Sequence, residues 1–212
     1  MAWVTPTIRS SDPTPDDTIT LQLAIQDPTP NRLYLARPCQ FLTPRDLAAC
    51  NPAYWTSHRY APEIVAALND AIEQAKRRTQ ARKIALFGYS GGDAPAILVA
   101  AGRNDVIRIV TIAGNLDDSA WTHLHRIATL TGSLNPAKSA NRVSHIQHIH
   151  FIGRDDKIIP PAIAASYLGR VTDRSNISVI EIPGADHTCC WAEKWPALLH
   201  DYIYPGRAEN PT

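Results

Sequence analysis

Four short apolar runs, each closed by a glycine, set the terms on which this chain can fold. Lys83 to Phe87 runs into Gly88, Val106 to Ile112 into Ala113-Gly114, Ile146 to Ile152 into Gly153, and Ile177 to Ile182 into Pro183-Gly184. Near-continuous apolar strands are buried on both faces, which calls for a parallel sheet with helices above and below it. The intervening segments supply those helices. Pro62 opens an amphipathic stretch over 62–78, with Ile64, Leu68, Ala71, Ile72 and Ala75 on one stripe and Lys76, Arg77 and Arg78 at its C-terminal end. Ala94 to Ala101 is apolar all round and stops at Gly102, the pattern of a central buried helix. A short helix follows Pro160-Pro161, and Trp191, Trp195, Leu198, Leu199 and Tyr202 mark a C-terminal amphipathic helix. The glycines thus gather at the C-terminal ends of strands, the edge where open α/β sheets bind ligands.

The front of the chain is punctuated differently. Nine of the 17 prolines precede Gly88, which is the first of only 10 glycines. Residues 15–26, opened by Pro15, Asp16 and Asp17, suit a helix, and Arg32 to Ala36 suits a short strand stopped by Arg37-Pro38. The 212 residues, without repeats or low complexity, read as a single domain over 1–212. Lys plus Arg total 21 and Asp plus Glu 20, a net charge of +1 that offers no field for nucleic acid or anionic lipid. No run approaches the roughly 18 apolar residues of a membrane span, and the N-terminus lacks the regions of a signal peptide. As written the chain reads as cytoplasmic. The 4 cysteines fit no zinc pattern. Cys39 and Cys50 read equally well as a disulfide, which implies an oxidising compartment, or as two buried thiols.

Phe87-Gly88-Tyr89-Ser90-Gly91-Gly92 carries the chemistry. It is G-x-S-x-G between a strand and a helix, the context of a nucleophile elbow. Such a turn strains the serine backbone, calls for small flanking residues, and aims the Gly91 N–H at a developing oxyanion. A serine nucleophile needs a base, and the base an orienting carboxylate. Asp155 and Asp156 follow the strand at 146–152, and His187 follows the last strand in Pro183-Gly184-Ala185-Asp186-His187. Asp186 is too close in sequence to orient that imidazole. His148 and His150 share a strand face with His145 at its edge, but no cysteine or carboxylate accompanies them, so they read as structural rather than metal-binding. Trp121, Trp191 and Trp195 read as core residues, with Trp191 near enough to His187 to line a pocket.

Over most of its length the chain resembles the α/β-hydrolase superfamily. More narrowly it is similar to a group of uncharacterised bacterial α/β-hydrolases, many exported or lipid-anchored. The matching stretches are Asp12 to Pro15, Tyr34 to Gln40, Gly88 to Gly92, Ala113 to Asp117, Gly132 to Pro136 and His187 to Trp191. The resemblance implies a three-layer α/β/α sandwich with a mostly parallel sheet and little or no cap. Gly153 to Pro160 resembles the family's acid loop, G-x-x-D-x-(I/V)-(I/V)-P, which selects Asp156 over Asp155. His187 stands where the family carries its base. Together these imply a Ser90-Asp156-His187 triad hydrolysing small-molecule carboxylic esters without a cofactor, and they favour the Cys39–Cys50 bridge. The departure is at the front, where positions 1–14 hold no glycine for a second oxyanion donor. The fold is therefore expected to lack its N-terminal strands, with Ala2-Trp3 a remnant of a longer front and Met1 an internal start. An upstream start would allow a periplasmic or exported protein. The competing expectation is a catalytically weak or inactive scaffold with a binding role.

Overall fold

The computed structural model describes residues 8–206; the expectations about Met1 and Ala2-Trp3 lie outside the described residues. Strands β1 (Ile84–Tyr89), β2 (Val106–Ile112), β3 (Gln147–Gly153) and β4 (Ile177–Ile182) form one sheet in the order β1-β2-β3-β4. All three pairings are parallel. Parallel neighbours need a crossover connection, and the chain supplies helices for it. The crossovers carry α4 (Asp93–Ala100) between β1 and β2, α5 (Asp118–Leu124) and α6 (Ala140–Val143) between β2 and β3, and α7 (Pro161–Leu168) between β3 and β4; α1 (Ile19–Gln26), α2 (Pro44–Leu47) and α3 (Pro62–Thr79) precede the sheet and α8 (Trp191–Leu198) follows it.

Alternation along the strands divides the interior into two apolar layers. Val110, Ile112, Ile149 and Phe151 face one way, into Leu23 of α1 and Trp191, Trp195 and Leu198 of α8. Val106 and Ile109 face the other way, into Ile97 of α4, Val143 of α6 and Tyr167 of α7. Outside α4, helix α3 buries Ile64 and Leu68 against Val99. The Trp195 ring stands edge-on to Phe151 at 6.0 Å and its Nε1–H donates to the Leu23 carbonyl at 3.0 Å, which ties α8 to α1. Burying an aliphatic or aromatic side chain of this size contributes about 1.5–3 kcal/mol, so these contacts set the position of the last helix. Between β2 and β3 stand only α5, a 3-10 turn at Pro136–Ser139 and α6, so no large cap covers the sheet edge.

The front departs from expectation in two places. Arg32 to Ala36 is not a strand. Its alternating leucines match the pattern of one, but among the described residues no neighbour offers a ladder, and its exposed Arg32 instead donates at 3.0 Å to the Ile25 carbonyl in the last turn of α1. Helix α1 begins at Ile19 rather than near Pro15, because the Asp17 carboxylate takes the Ile19 N–H at 3.2 Å in a local turn. Among the described residues no strand precedes β1, whose outer edge leaves Phe87 36% exposed. At the other end, α8 holds Pro196 and gives way to a wide π-turn, Leu199–Ile203, instead of running on as α-helix to Tyr202.

Candidate active site

Strand β1 ends in extended backbone at Tyr89, and the next residue, Ser90, has φ +53°. A non-glycine residue in the left-handed region is strained and persists only where its surroundings hold it. Here the surroundings are crowded. A Cβ on Gly88 would stand 2.3 Å from an Asp93 carboxyl oxygen and 2.6 Å from its Cα, and one on Gly114 2.3 Å from the other oxygen. Gly92, by contrast, has open space around it, so the motif's second glycine is not demanded by close approach as the upstream one is. The fully buried Asp93 carboxyl lacks a well-formed hydrogen bond, and burial pushes it well above the usual carboxylate range.

The three sequence-selected side chains converge. Ser90 Oγ lies 2.8 Å from His187 Nε2, and His187 Nδ1 lies 2.9 Å from Asp156 Oδ2. Asp156 is buried, and its other oxygen accepts the N–H groups of Ile158 and Ile159, each at 2.8 Å. With the carboxylate fixed this way, an Nδ1–H of His187 can donate to it, leaving Nε2 free to accept the serine proton. Asp155 is exposed and takes no part. Asp186 is occupied in its own turn, accepting from Thr188 N at 2.8 Å and Cys189 N at 2.6 Å. The loop carrying His187 closes on the end of β3 because Gly153 has no side chain there; a Cβ would stand 2.6 Å from the Ala185 carbonyl oxygen.

Several neighbours were not legible from sequence. Tyr89, the variable residue of the motif, donates its hydroxyl to the His187 carbonyl at 2.6 Å, with its ring 5.8 Å from the imidazole. Asn115 N–H donates to the Ser90 carbonyl at 3.2 Å. Beside Gly91 stand the Tyr60 hydroxyl and the Arg37 guanidinium, 3.4 and 3.8 Å from where its Cβ would be. Trp191 is fully buried and donates to the Asp186 carbonyl at 2.9 Å, so it anchors the base loop from the core. Trp121 is not a core residue. Its ring is partly exposed, with Arg59 5.8 Å from its centroid and its Nε1–H donating to the Ile158 carbonyl at 2.8 Å. His148 and His150 are buried in the sheet, His148 on the Val143 carbonyl at 2.9 Å and His150 on Thr111 Oγ1 at 2.7 Å. Burial holds His150 down at about 3, so it is neutral at ordinary pH. Cys39 and Cys50 are joined by a disulfide across a 6.0 Å Cα separation, and the adjacent Cys189 and Cys190 are joined as well.

No family model matches the chain, and no curated protein matches it. Solved structures do, through the fold. A Paleococcus ferrophilus monoacylglycerol lipase is 15% identical with a TM-score of 0.50, covering 64% of this chain and 73% of its own. A puromycin hydrolase is 17% identical with a TM-score of 0.56, over 68% of this chain and 25% of its own. A Pyrococcus furiosus esterase is 15% identical with a TM-score of 0.51, over 65% of this chain and 59% of its own. The chain therefore spans a quarter of the puromycin hydrolase and less than two thirds of the esterase. Its sheet and covering helices are those of the α/β-hydrolase fold.

Proposed function

We propose that the chain, as a single domain, is a serine hydrolase acting on small carboxylic esters. The observation that supports this best is the unbroken line from Ser90 Oγ through the imidazole of His187 to Asp156, at 2.8 and 2.9 Å. In the proposed reaction Ser90 Oγ attacks the ester carbonyl carbon while His187 Nε2 takes the hydroxyl proton. Asp156 stabilises the imidazolium and fixes its orientation, and the Gly91 N–H receives the oxyanion. Collapse of the tetrahedral intermediate breaks the carbon–oxygen bond, and His187 returns the proton to the departing alcohol. Water, deprotonated by the same nitrogen, then releases the acid from Ser90. Every proton has a side-chain donor or acceptor, so the scheme calls for no cofactor. Two of the similar structures are by name a lipase and an esterase, which favours esters over other acyl substrates.

The test is active-site labelling with a fluorophosphonate, followed by a panel of p-nitrophenyl esters of increasing chain length. The expected result is labelling of the intact protein that Ser90→Ala abolishes, with turnover lowered roughly 10^4- to 10^6-fold in the same variant. Folded protein that neither labels nor turns over any ester would leave the binding-scaffold reading standing in its place.

A further inference from the structure

Next to Ser90 stands a cation that has no counter-charge among the described residues. Arg37 enters none of the ion pairs of the described residues, and its guanidinium donates no hydrogen bond among them. It stands 3.8 Å from the Cβ position of Gly91, with the Tyr60 hydroxyl at 3.4 Å from the same point. Tyr60 is fully buried; Arg59 donates toward its oxygen, and the hydroxyl itself donates to no acceptor among the described residues. Buried polar groups are nearly always satisfied, and an unpaired charge withdrawn from water is costly. Two unmet donors at one point beside Ser90 therefore ask for a ligand. Arg37, Ser90 and Gly91 all keep partial exposure, so the guanidinium is reachable from solvent, with the Tyr60 hydroxyl buried behind it. Asp118, which acts on Tyr60 from within the protein, hydrogen-bonds to neither group, and burial pushes it up to about 7.

Both donors are held in place by bonds remote from the site. Arg37 N–H donates to Gln40 Oε1 at 3.1 Å, Gln40 N–H returns to the Arg37 carbonyl at 3.2 Å, and Gln40 Nε2 reaches the Pro13 carbonyl at 3.1 Å. The Cys39–Cys50 bridge closes the same turn. Tyr60 N–H donates to Ser133 Oγ at 3.1 Å and its carbonyl accepts from Leu134 at 2.9 Å. A guanidinium fork with a hydroxyl beside it matches a carboxylate, which takes paired donors on its two oxygens.

We propose that Arg37 and Tyr60 form an anion-recognition corner of the ester site, so that the preferred substrate carries a carboxylate near the scissile carbonyl. This rests on the hydrolase reading above. The carboxylate belongs either to the acyl part or to the alcohol part, and two probe pairs separate them. The p-nitrophenyl hemi-ester of glutaric acid is compared with p-nitrophenyl butyrate, and 4-(butyryloxy)benzoate with its neutral methyl ester. One pair is expected to favour the anion about 10- to 100-fold in kcat/KM, the range of a charge-assisted hydrogen bond. Arg37→Ala collapses that ratio toward one, Arg37→Lys retains part of it, and added salt reduces it in the wild type. Ratios near one for both pairs in the wild type, or an equal fall of the charged and neutral rates in Arg37→Ala, overturn the proposal. The equal fall would make Arg37 a stabiliser of the oxyanion. Glutarate binding to the Ser90→Ala protein, read by calorimetry, gives a result independent of turnover. Binding lost in Ser90→Ala/Arg37→Ala supports the corner even if no ester is cleaved, whereas turnover of neutral esters without glutarate binding sinks the corner and leaves the hydrolase.

Discussion

Two regions of the molecule hold functional groups by different means. From β1 to the base loop, Ser90, Asp156 and His187 hang from the C-terminal ends of strands backed by two apolar layers and three parallel ladders. Ahead of α3, Arg37 and Tyr60 sit on backbone that joins no sheet among the described residues. There the chain is fixed by a disulfide and by side-chain-to-backbone bonds that span 27 residues from Gln40 to Pro13 and 73 from Tyr60 to Ser133. A sheet places groups by regular geometry, so its strand ends converge wherever the strands do. A stapled loop places a group only while each staple holds. The proposed chemistry sits on the first kind of support and the inferred selectivity on the second.

The sheet-borne region should fail chemically without unfolding. Asp156→Asn keeps an oxygen to accept from Ile158 and Ile159, but its amide then faces His187 Nδ1 and favours the wrong tautomer. We expect kcat to fall by about 10^4 with an unchanged melting profile. A loss below tenfold in a steady-state ester assay would remove Asp156 from the relay.

The stapled region should lose selectivity before it loses chemistry. Replacing Cys39 and Cys50 together by serine opens an 11-residue separation, for which loop-closure entropy predicts a loss of about 3 kcal/mol in denaturant unfolding. The fluorophosphonate labelling rate should hold while the carboxylate preference declines. If both decline in step, the two regions are not independent and the contrast drawn above fails.

The smallest effect concerns Asp93, on the sheet side. Its folded carboxyl is raised by burial, so the native state holds that proton more tightly than the unfolded chain does. The stabilisation is complete below the ordinary carboxylate range and is lost as pH rises from there through the raised value. Asp93→Asn, nearly isosteric between Gly88 and Gly114, should flatten this decline. Melts of both proteins from pH 4 to pH 8 that run parallel would show Asp93 to be irrelevant to it.

The sequence was most legible where function depends on neighbours in the chain. G-x-S-x-G announces its own turn, and a glycine after each apolar run marks the edge to which Asp156 and His187 belong. Where geometry depends on distant partners, the reading failed or was silent. Arg32 to Ala36 has a strand's alternation but no ladder to join, and Trp121 has a core residue's size but sits over the acid loop. Nothing local links Arg37, Tyr60 and Gly91, which meet only because the front of the chain folds back across α4. Tyr89 lay in plain view inside the motif, yet its role depends on a carbonyl 98 residues away.

That Tyr89 bond has a mechanical consequence. Gly153 lets the loop of His187 rest directly on the end of the strand that leads to Asp156, backbone against backbone, so the proposed acid and base share one support. The proposed nucleophile, Ser90, belongs to another. The hydroxyl of the residue just before Ser90 grips the carbonyl of His187 itself and so acts as a gauge between the two parts. The proposed proton path from serine to imidazole is set by a spacer one residue away from it, and a change in that spacer would be felt as a change in reach.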